Sequence, residues 1–369
     1  MYGPRAVIHL DNLVHNYNVV KKHLGGRRLM TVVKADAYGH GAVECAKALK
    51  QAGSDYFAVY TVGEALELRN AGITDEILIF SRTDRDEIAA AVNNNLTLII
   101  SWKDDLDWFA DHYRQTGRSP KLHLKIDTGM TRLGVAWQEV PALLQQIQST
   151  PGIELEGMYS HFATADEGDP SYAKFQLDNF NACVAAAKKL EMAVKYVHFS
   201  NSGAVLNHPD AWFDLVRVGL LLYGAFPSSE VPQDLPIKPV MDYRASITTV
   251  RSVKAGIQIS YGGVYAPPTD TTIGVIQCGF ADGFPRPWFA MGHVMYKGRK
   301  FKIAGRVCMD QFMVNFAGEQ PPVGDEVLIF GDDGENVIRT EEISVAIGLT
   351  PYTLLTAIHG RTRRVYIGE

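Results

Sequence analysis

The sequence has few of the features that would assign it to several common protein classes. Only four cysteines occur in 369 residues, namely Cys45, Cys183, Cys278 and Cys308, and no two of them form a CxxC pair. This spacing argues against a disulfide framework and against a zinc site. A reducing compartment is the simplest setting for such a chain, so we expect a cytoplasmic protein.

Strong charge and long apolar runs are missing as well. The formal net charge is -5, and the charged residues are dispersed along the chain. Nothing here would attract nucleic acid or an anionic membrane surface. The N-terminus shows no basic and then apolar leader, and no apolar run in the sequence is long enough to cross a bilayer. We therefore expect neither a nucleic-acid partner nor a membrane.

The length exceeds what one hydrophobic core usually serves, so two domains are expected. From residue 29 to residue 225, short apolar runs alternate with amphipathic, helix-like stretches. The strand-like runs are Leu29–Lys34, Tyr56–Tyr60, Ile77–Phe80, Leu96–Ile100, Lys121–Ile126, Ile153–Ser160, Tyr196–Phe199 and Phe213–Val216. This alternation predicts a (β/α)8 TIM-type barrel. A doubly wound sheet is the alternative, but its Gly-x-Gly-x-x-Gly turn is absent.

The flanking regions complete the predicted α/β architecture. Ahead of the barrel, Asp11 is predicted to cap a helix over Asn12–Leu24. Four prolines between residues 227 and 239 mark a linker, after which period-two runs predict strands. We expect a barrel over residues 1–235 and a mostly-β domain over residues 236–369, with a short helix at Glu341–Ile347.

Polar residues follow five of the predicted barrel strands. In this fold the active site lies at the carboxyl ends of the strands. Lys34 closes the first run, and a lysine buried there would tend to lose its proton and become a nucleophile. The other strand ends contribute Lys125 and Arg132 from the fifth, His161 from the sixth, Ser202 from the seventh, and Arg217 with Gly219 from the eighth. Loops after the last two strands often form a phosphate site.

Each of these residues also has an ordinary structural interpretation. A single lysine at a strand end more often extends toward solvent. A single His161 is more often a core histidine whose hydrogen bonds are satisfied, and Arg132 alone would be an ordinary ion-pair partner. The functional interpretation therefore depends on the residues occurring together.

The segment from Val32 to Gly41 reads VVKADAYGHG and closely resembles the cofactor-lysine motif of the alanine racemase family. Further matches follow in the order and spacing of that family, at Lys125–Gly134, Tyr159–Ala163, Val216–Gly219, Ser260–Gly262 and Gly305–Asp310. The resemblance covers essentially the whole chain.

The resemblance implies a role for each matching residue. Lys34 would form an internal aldimine with pyridoxal 5'-phosphate, and Arg132 would contact the cofactor and the substrate carboxylate. His161 would lie against the cofactor ring, and Arg217 would contact the pyridine nitrogen. Residues implied to hold the phosphate are Tyr38, Ser202, Gly219, Leu220 and Tyr352. Lys125 can be carbamylated in this family.

The resemblance also implies a two-base mechanism and a homodimer. Tyr261 and Met309 would come from the second domain of the partner subunit, so that each active site is shared. Lys34 would act on the D-alanine side and Tyr261 on the L-alanine side. The implied activity is interconversion of L- and D-alanine, which supplies D-alanine for cell-wall peptidoglycan.

Three other functions stay open on the sequence. Racemisation of another small amino acid, such as serine, is the nearest, although Tyr352 favours alanine. Decarboxylation of a basic amino acid would use an acidic residue where Arg217 stands. A non-catalytic pyridoxal-phosphate carrier would lack the second domain that holds Tyr261 and Met309.

Overall fold

The computed structural model describes residues 2–368, which form two sheets and the helices around them. The helices span Leu10–His23, Ala42–Gln51, Val62–Asn70, Ile88–Asn93, Asp105–Thr116, Val140–Ser149, Ser171–Lys189, Ser202–Asn207, Thr340–Ile347 and Pro351–Thr356. None of the helices in these residues is both long and apolar enough to cross a membrane.

Eight parallel strands form the barrel of the first sheet, and a ninth, two-residue strand at Val135–Ala136 pairs with the fifth of them. The eight barrel strands are Arg28–Val32, Tyr56–Val59, Glu76–Ile79, Thr97–Ile100, Lys121–Asp127, Glu154–Tyr159, Tyr196–His198 and Leu215–Val218. From the first to the seventh, each strand pairs with the next one in the chain, and the eighth pairs with the first. Backbone bonds from Asp214 to Val197 and from Arg217 to Ser200 link the seventh and eighth strands and complete the ring. The predicted (β/α)8 barrel is confirmed.

The barrel strands are buried on both faces, which explains why they are almost continuously apolar. Helices cover the outside, and side chains of the strands fill the inside. The filling is unusually polar, because His123 and His198 both lie in the interior with no exposed surface. Gly157 on the sixth strand makes room for the His123 ring, since a Cβ there would come within 2.6 Å of it.

The second sheet is mostly antiparallel. Its strands are Pro4–His9, Met241–Val253, Thr271–Ile276, His293–Tyr296, Arg299–Lys302, Phe312–Asn315, Glu326–Asp332, Val337–Ile338 and Arg363–Ile367. The predicted mostly-β domain is therefore confirmed as an architecture, and the helix Thr340–Ile347 lies where a short helix was expected. The exact boundary between the two domains stays a prediction.

The N-terminal strand Pro4–His9 was not predicted. It pairs antiparallel with Met241–Val253 and parallel with Arg363–Ile367, so the start of the chain belongs to the second sheet. The helix after it begins at Leu10, two residues earlier than the predicted start at Asn12. Asp11 therefore lies inside the first turn and is not the N-cap, which is His9. The prediction of Asp11 as the cap was wrong, because the strand delivers the chain directly into the helix.

Candidate active site

A cavity of about 500 Å³ opens at the carboxyl ends of the barrel strands. Most of the residues singled out from the sequence line it. They are Lys34, Tyr38, Lys125, Arg132, His161, Ser202, Arg217, Gly219 and Tyr352. The position is the one that the barrel fold predicts for an active site.

The segment that carries Lys34 has an uncommon backbone. The first barrel strand ends at Val32, so Lys34 does not close that strand as expected from the sequence. Lys34 opens a single left-handed turn in which Ala35, Asp36, Ala37 and Tyr38 all have φ between 51° and 53°. A left-handed backbone conformation costs about 1–2 kcal/mol at each residue that is not glycine, so the surrounding structure must hold the turn in place.

Contacts from three directions hold this left-handed turn. The Ala35 amide donates to the Glu64 carboxylate at 2.8 Å, and Glu64 is also the capping-box residue of the helix Val62–Asn70. The Asp36 carboxylate accepts from the Ala42 amide at 2.7 Å. It also pairs with Arg364, which comes from the second sheet. The turn therefore presents Lys34 to the cavity from a backbone that several elements fix.

The environment of Lys34 favours its uncharged amine. The side chain is half-buried, and its Nζ lies 5.9 Å from the centre of the Tyr60 ring and 6.0 Å from that of Phe80. Burial lowers the pKa of Lys34, and the positive charges of Arg132 and Arg217 lower it further. An uncharged amine is the form that can attack a carbonyl carbon.

Arg217 crosses the cavity floor and is almost fully buried. Its Nη2 donates to the Ser160 and Phe199 carbonyl oxygens, both at 2.9 Å. It also reaches the His161 Nδ1 at 3.2 Å, while Nη1 reaches the His198 Nδ1 at 3.1 Å. A guanidinium only donates, so both imidazoles accept at Nδ1 and carry their proton on Nε2. No carboxylate is among these partners.

Both histidines bonded to Arg217 are held uncharged. Burial and the positive charge of Arg217 lower the pKa of His161 well below its ordinary value. Burial acts in the same direction on His198 and lowers the pKa of His123 to about 3. The His198 Nε2–H can therefore donate to the His123 Nδ1 at 2.9 Å, and the His123 Nε2–H to the Tyr56 hydroxyl at 3.2 Å. This chain of donors fixes the orientation of Arg217 from below.

The far end of the cavity has the features of an anion cradle. The Gly219 amide donates to the Ser202 hydroxyl at 3.3 Å. The Tyr38 ring packs against those of Tyr223 and Tyr352. A Cβ on residue 219 would come within 2.5 Å of the Tyr38 hydroxyl, which explains the glycine there. Burial raises the pKa of Tyr38 and of Tyr352, so both hydroxyls keep their protons and can donate.

Lys125 lies in the cavity wall on the fifth strand and is buried. Its Nζ donates to the Ile126 carbonyl oxygen at 3.1 Å and lies 5.2 Å from the centre of the Tyr159 ring. Burial and the charge of Arg217 lower the pKa of Lys125 to about 7. Near neutral pH a large share of this amine is therefore uncharged.

Two of the residues singled out lie away from the cavity. Tyr261 is 66% exposed and Met309 is 56% exposed, and both lie on loops of the second domain. These loops are neighbours, since the Ser260 hydroxyl donates to the Arg306 carbonyl oxygen and approaches the Cys308 sulfur at 3.6 Å. Leu220 follows Gly219 and is fully buried, and its side chain does not line the cavity.

Sequence reasoning missed one wall of the cavity. That wall consists of Tyr60, Phe80, Ser81 and Arg82, which follow the second and third barrel strands. Arg82 is held by an ion pair to Asp105 at 2.6 Å. The signal was available, because the rule that placed Lys34 and Arg217 at strand ends applies equally to these two strands.

The fold and the cavity together define the class of protein. One cavity of the parallel barrel contains a lysine whose pKa is lowered, an arginine with no carboxylate among its bonded partners, and an anion cradle, and a second, mostly-β domain follows the barrel. This arrangement suits an enzyme that binds a phosphorylated aldehyde cofactor at its barrel lysine.

Comparisons with known proteins identify the family. The model described as "Alanine racemase, N-terminal domain" matches residues 8–227, and the one described as "Alanine racemase, C-terminal domain" matches residues 240–366. An alanine racemase of Carboxydothermus hydrogenoformans is 38% identical over 98% of this chain and 99% of its own length. One from Synechocystis is 36% identical over 100% of both chains.

Solved structures give the same result. The alanine racemase from a D-cycloserine-producing Streptomyces lavendulae superposes with a TM-score of 0.93 at 36% identity, covering 100% of this chain and 98% of that one. The alanine racemase from Bacillus anthracis with bound L-Ala-P superposes with a TM-score of 0.92 at 32% identity, covering 100% and 96%. The chain belongs to the alanine racemase family, whose members are pyridoxal-phosphate-dependent amino-acid racemases.

Proposed function

We propose that the chain interconverts L- and D-alanine by moving protons on two opposite faces of the substrate. Lys34 handles the proton on the D-alanine side, and Tyr261 of the partner subunit handles it on the L-alanine side. The observation that supports this best is the single cavity that Lys34, Arg217 and the anion cradle line together. The proposal includes the family's role for D-alanine in cell-wall peptidoglycan, for which the family is the only support.

The residues of the cavity fit pyridoxal 5'-phosphate. Tyr38, Ser202, Gly219 and Tyr352 would hold its phosphate, with the Leu220 amide beside them, and Lys34 would bond to its aldehyde. His161 and Arg132 would lie along the ring. When bound, this cofactor supplies an electron-withdrawing system that acidifies the α-proton of the amino acid attached to it.

Inversion at the α-carbon requires an acid–base group on each face of the substrate. Lys34 enters from the barrel side. Its lowered pKa increases the fraction of the amine that is unprotonated and can accept a proton. Tyr261 and Met309 are exposed on neighbouring loops of the second domain, so they are available to a second copy of the chain. Met309 would offer its backbone N–H to the substrate carboxylate, which Arg132 would also bind. The bound L-Ala-P in the Bacillus anthracis relative is consistent with an alanine-sized substrate.

Arg217 gives the site its reaction preference. A carboxylate at the pyridine nitrogen would keep that nitrogen protonated and make the cofactor a strong electron sink. Arg217 only donates hydrogen bonds, so it would donate one to an unprotonated pyridine nitrogen and could not accept one from a protonated nitrogen. With the cofactor bound, negative charge developing at the α-carbon would be less delocalised, which would favour return of a proton to that carbon over side reactions.

We propose in addition that Lys125 is carbamylated. Its uncharged amine can attack CO2, forming an N–C bond and releasing one proton, and the product is a carbamate anion. That anion would lie among the cations Arg132 and Arg217, whose charges lower the pKa of Lys125. Intact-protein mass spectrometry at pH 8 in bicarbonate should detect one added CO2, which Lys125→Ala removes. An unmodified mass at saturating bicarbonate would refute this part.

The direct test of the function is an assay of the purified protein with added pyridoxal phosphate. L-Alanine should be converted to D-alanine until the two are equal, with much slower turnover of L-serine and L-lysine. Lys34→Ala should lose this activity and the cofactor absorption of a lysine adduct. Faster inversion of serine than of alanine would show that the enzyme is a serine racemase. Release of CO2 from lysine would refute racemisation.

A further inference from the structure

Two arginines three residues apart in the C-terminal segment contact two different parts of the catalytic machinery. Arg361 and Arg364 flank the start of the strand Arg363–Ile367. This strand pairs in parallel with Pro4–His9, so both arginines project from the edge of the second sheet. The partners of Arg364 lie in the segment after Lys34, and a partner of Arg361 lies next to Met309.

Arg364 contacts the left-handed turn that presents Lys34. Its Nη2 pairs with the Asp36 carboxylate at 2.7 Å, and its Nε donates to the Gly39 carbonyl oxygen at 2.8 Å. Nη2 also donates to the Ile358 carbonyl oxygen at 3.3 Å. Asp36 lies within the turn and Gly39 ends it, so one guanidinium fixes the strained backbone that follows Lys34.

Arg361 contacts the loop that carries Met309. Its Nε donates to the Asp282 carboxylate at 2.9 Å, and its Nη1 pairs with Asp310 at 2.8 Å. Asp282 is buried and accepts from the Gly279 amide at 3.0 Å. The Ala281 amide in turn donates to the Met309 carbonyl oxygen at 3.0 Å. Arg361 thereby joins Asp310, which follows Met309 in the chain, to the segment around Asp282 that hydrogen-bonds the Met309 carbonyl oxygen.

We infer that Arg361 and Arg364 are positioning residues for two different half-sites. Arg364 positions Lys34 in the active site of its own barrel, and Arg361 positions the Met309 loop that serves the partner's barrel. The inference rests on the proposed function, because it requires active sites shared between two subunits. The tetrapeptide Arg361–Arg364 then couples the two half-sites that each chain contributes.

The first experiment compares single variants by two separate readouts. Arg364→Gln should weaken pyridoxal-phosphate binding at least tenfold in a spectral titration of the apoenzyme. Arg361→Gln should leave that titration unchanged and raise the KM for alanine at least tenfold. Arg364→Lys and Arg361→Lys keep the charge and should each recover part of the loss. If both glutamine variants change the same readout, the assignment of separate half-sites is wrong.

Arg363 provides a matched control within the same segment. It is exposed, and its side chain forms no hydrogen bond or ion pair with residues 2–368. Arg363→Gln should change neither cofactor binding nor the KM for alanine. The comparison is restricted to variants whose thermal unfolding temperatures are similar to that of the wild type. An equal effect of Arg363→Gln would mean that the charge of the segment, and not the two contacts, is responsible. Where a glutamine variant does not fold, Asp36→Asn weakens the ion pair of Arg364, and Asp282→Asn combined with Asp310→Asn weakens both contacts of Arg361.

The second experiment uses a heterodimer purified through two different affinity tags. One subunit carries Arg364→Gln and the other Arg361→Gln. One of the two sites then combines both damaged halves, and the other combines both intact halves. Activity should rise above that of either homodimer and reach about half that of the wild type, since one of two sites is complete.

A parallel heterodimer of Lys34→Ala and Tyr261→Phe subunits separates the two proposals. Recovery there, with none for the arginine pair, would refute the positioning roles and leave the proposed function intact. No recovery in either heterodimer would refute the shared sites on which both depend. Recovery in both, together with the split between cofactor binding and KM, is the expected result.

Discussion

At the scale of single residues, Arg217 has the most constrained surroundings in the cavity. Its guanidinium donates to two carbonyl oxygens and to two imidazoles, and no carboxylate is among its bonded partners. Burial lowers the pKa of Arg217 to about 10, yet it stays charged at neutral pH. A buried cation with no carboxylate among its bonded partners therefore lies in the site, and burial together with this charge keeps both neighbouring histidines uncharged.

Replacement of Arg217 by glutamate should change the reaction. A carboxylate at this position would hold a proton on the pyridine nitrogen and strengthen the electron sink, so racemisation should slow by roughly 10²-fold, the loss typical of removing one preorganised charge. A longer-wavelength absorption band should appear when alanine is added. Stopped-flow spectra of the variant with L-alanine check both expectations. An unchanged rate with no new band would contradict the role given to Arg217.

At the scale of elements, Gly279 shows how one residue sets the geometry of the second-domain loops. A Cβ on residue 279 would overlap the Met309 carbonyl oxygen, so only glycine allows the two loops to lie together. Gly279→Ala should destabilise the protein by about 1–3 kcal/mol, as overpacking does, and should raise the KM for alanine. Thermal unfolding and steady-state kinetics measure the two effects.

Gly63 offers the control for that substitution. It lies in the helix Val62–Asn70, where an added Cβ has its nearest neighbour 3.8 Å away at the Thr61 hydroxyl. Gly63→Ala should be neutral or slightly stabilising, because alanine is the better helix former. If Gly279→Ala behaves like Gly63→Ala, the close approach of the loop to Met309 has no functional consequence.

Elements could be predicted from sequence where their signal is local. The barrel strands are buried on both faces and appear as continuous apolar runs, so the fold class followed from their number and spacing. The strand Pro4–His9 has no such signal, because its partners around Arg244 and Arg364 lie more than 230 residues away in the sequence. Its pairing is decided by the folded second sheet.

The candidate site could be predicted in part for the same reason. Residue types at strand ends pointed to Lys34 and Arg217, and both line the cavity. The left-handed turn after Lys34 could not be predicted, since no glycine occurs between residues 35 and 38 to signal a positive φ. Glu64 and Arg364 hold that backbone through contacts distant in sequence. The roles of Tyr261 and Met309 stay predictions, because they depend on a second subunit.

At the scale of the whole molecule, an ion pair near the N-terminus joins the paired strands Pro4–His9 and Met241–Val253 of the second sheet. His9 Nε2 lies 3.2 Å from the Asp242 carboxylate. The ion pair with the Asp242 carboxylate raises the pKa of His9, and burial opposes it. Burial raises the pKa of Asp242, but the ion pair with His9 and hydrogen bonds from the Asp332 amide and Arg244 outweigh it and bring that pKa below its ordinary value.

This pair predicts a stability contribution that depends on pH. The raised pKa of His9 gives stability that is full below the unfolded value of about 6.5 and is lost as pH rises through the folded pKa. The lowered pKa of Asp242 gives stability that is lost as pH falls through its folded pKa. His9→Gln should therefore lower the free energy of unfolding most near about pH 5.5, and less near about pH 9.

Denaturant unfolding of the wild type and His9→Gln at both pH values measures this difference. His359→Gln is the control, since His359 is exposed and forms no ion pair with the described residues. A loss that is equal at the two pH values would mean that His9 contributes through packing and not through its charge.

The central claim for the whole molecule is that two side chains handle protons on opposite faces of one substrate. The most direct measurement follows D-alanine in D2O with a Tyr261→Phe variant that still binds pyridoxal phosphate. We predict that deuterium enters the α-position of D-alanine through Lys34, while formation of L-alanine falls by roughly 10²–10⁴-fold, the range for loss of one acid–base group. Inversion at the wild-type rate, or loss of deuterium exchange together with inversion, would contradict the account.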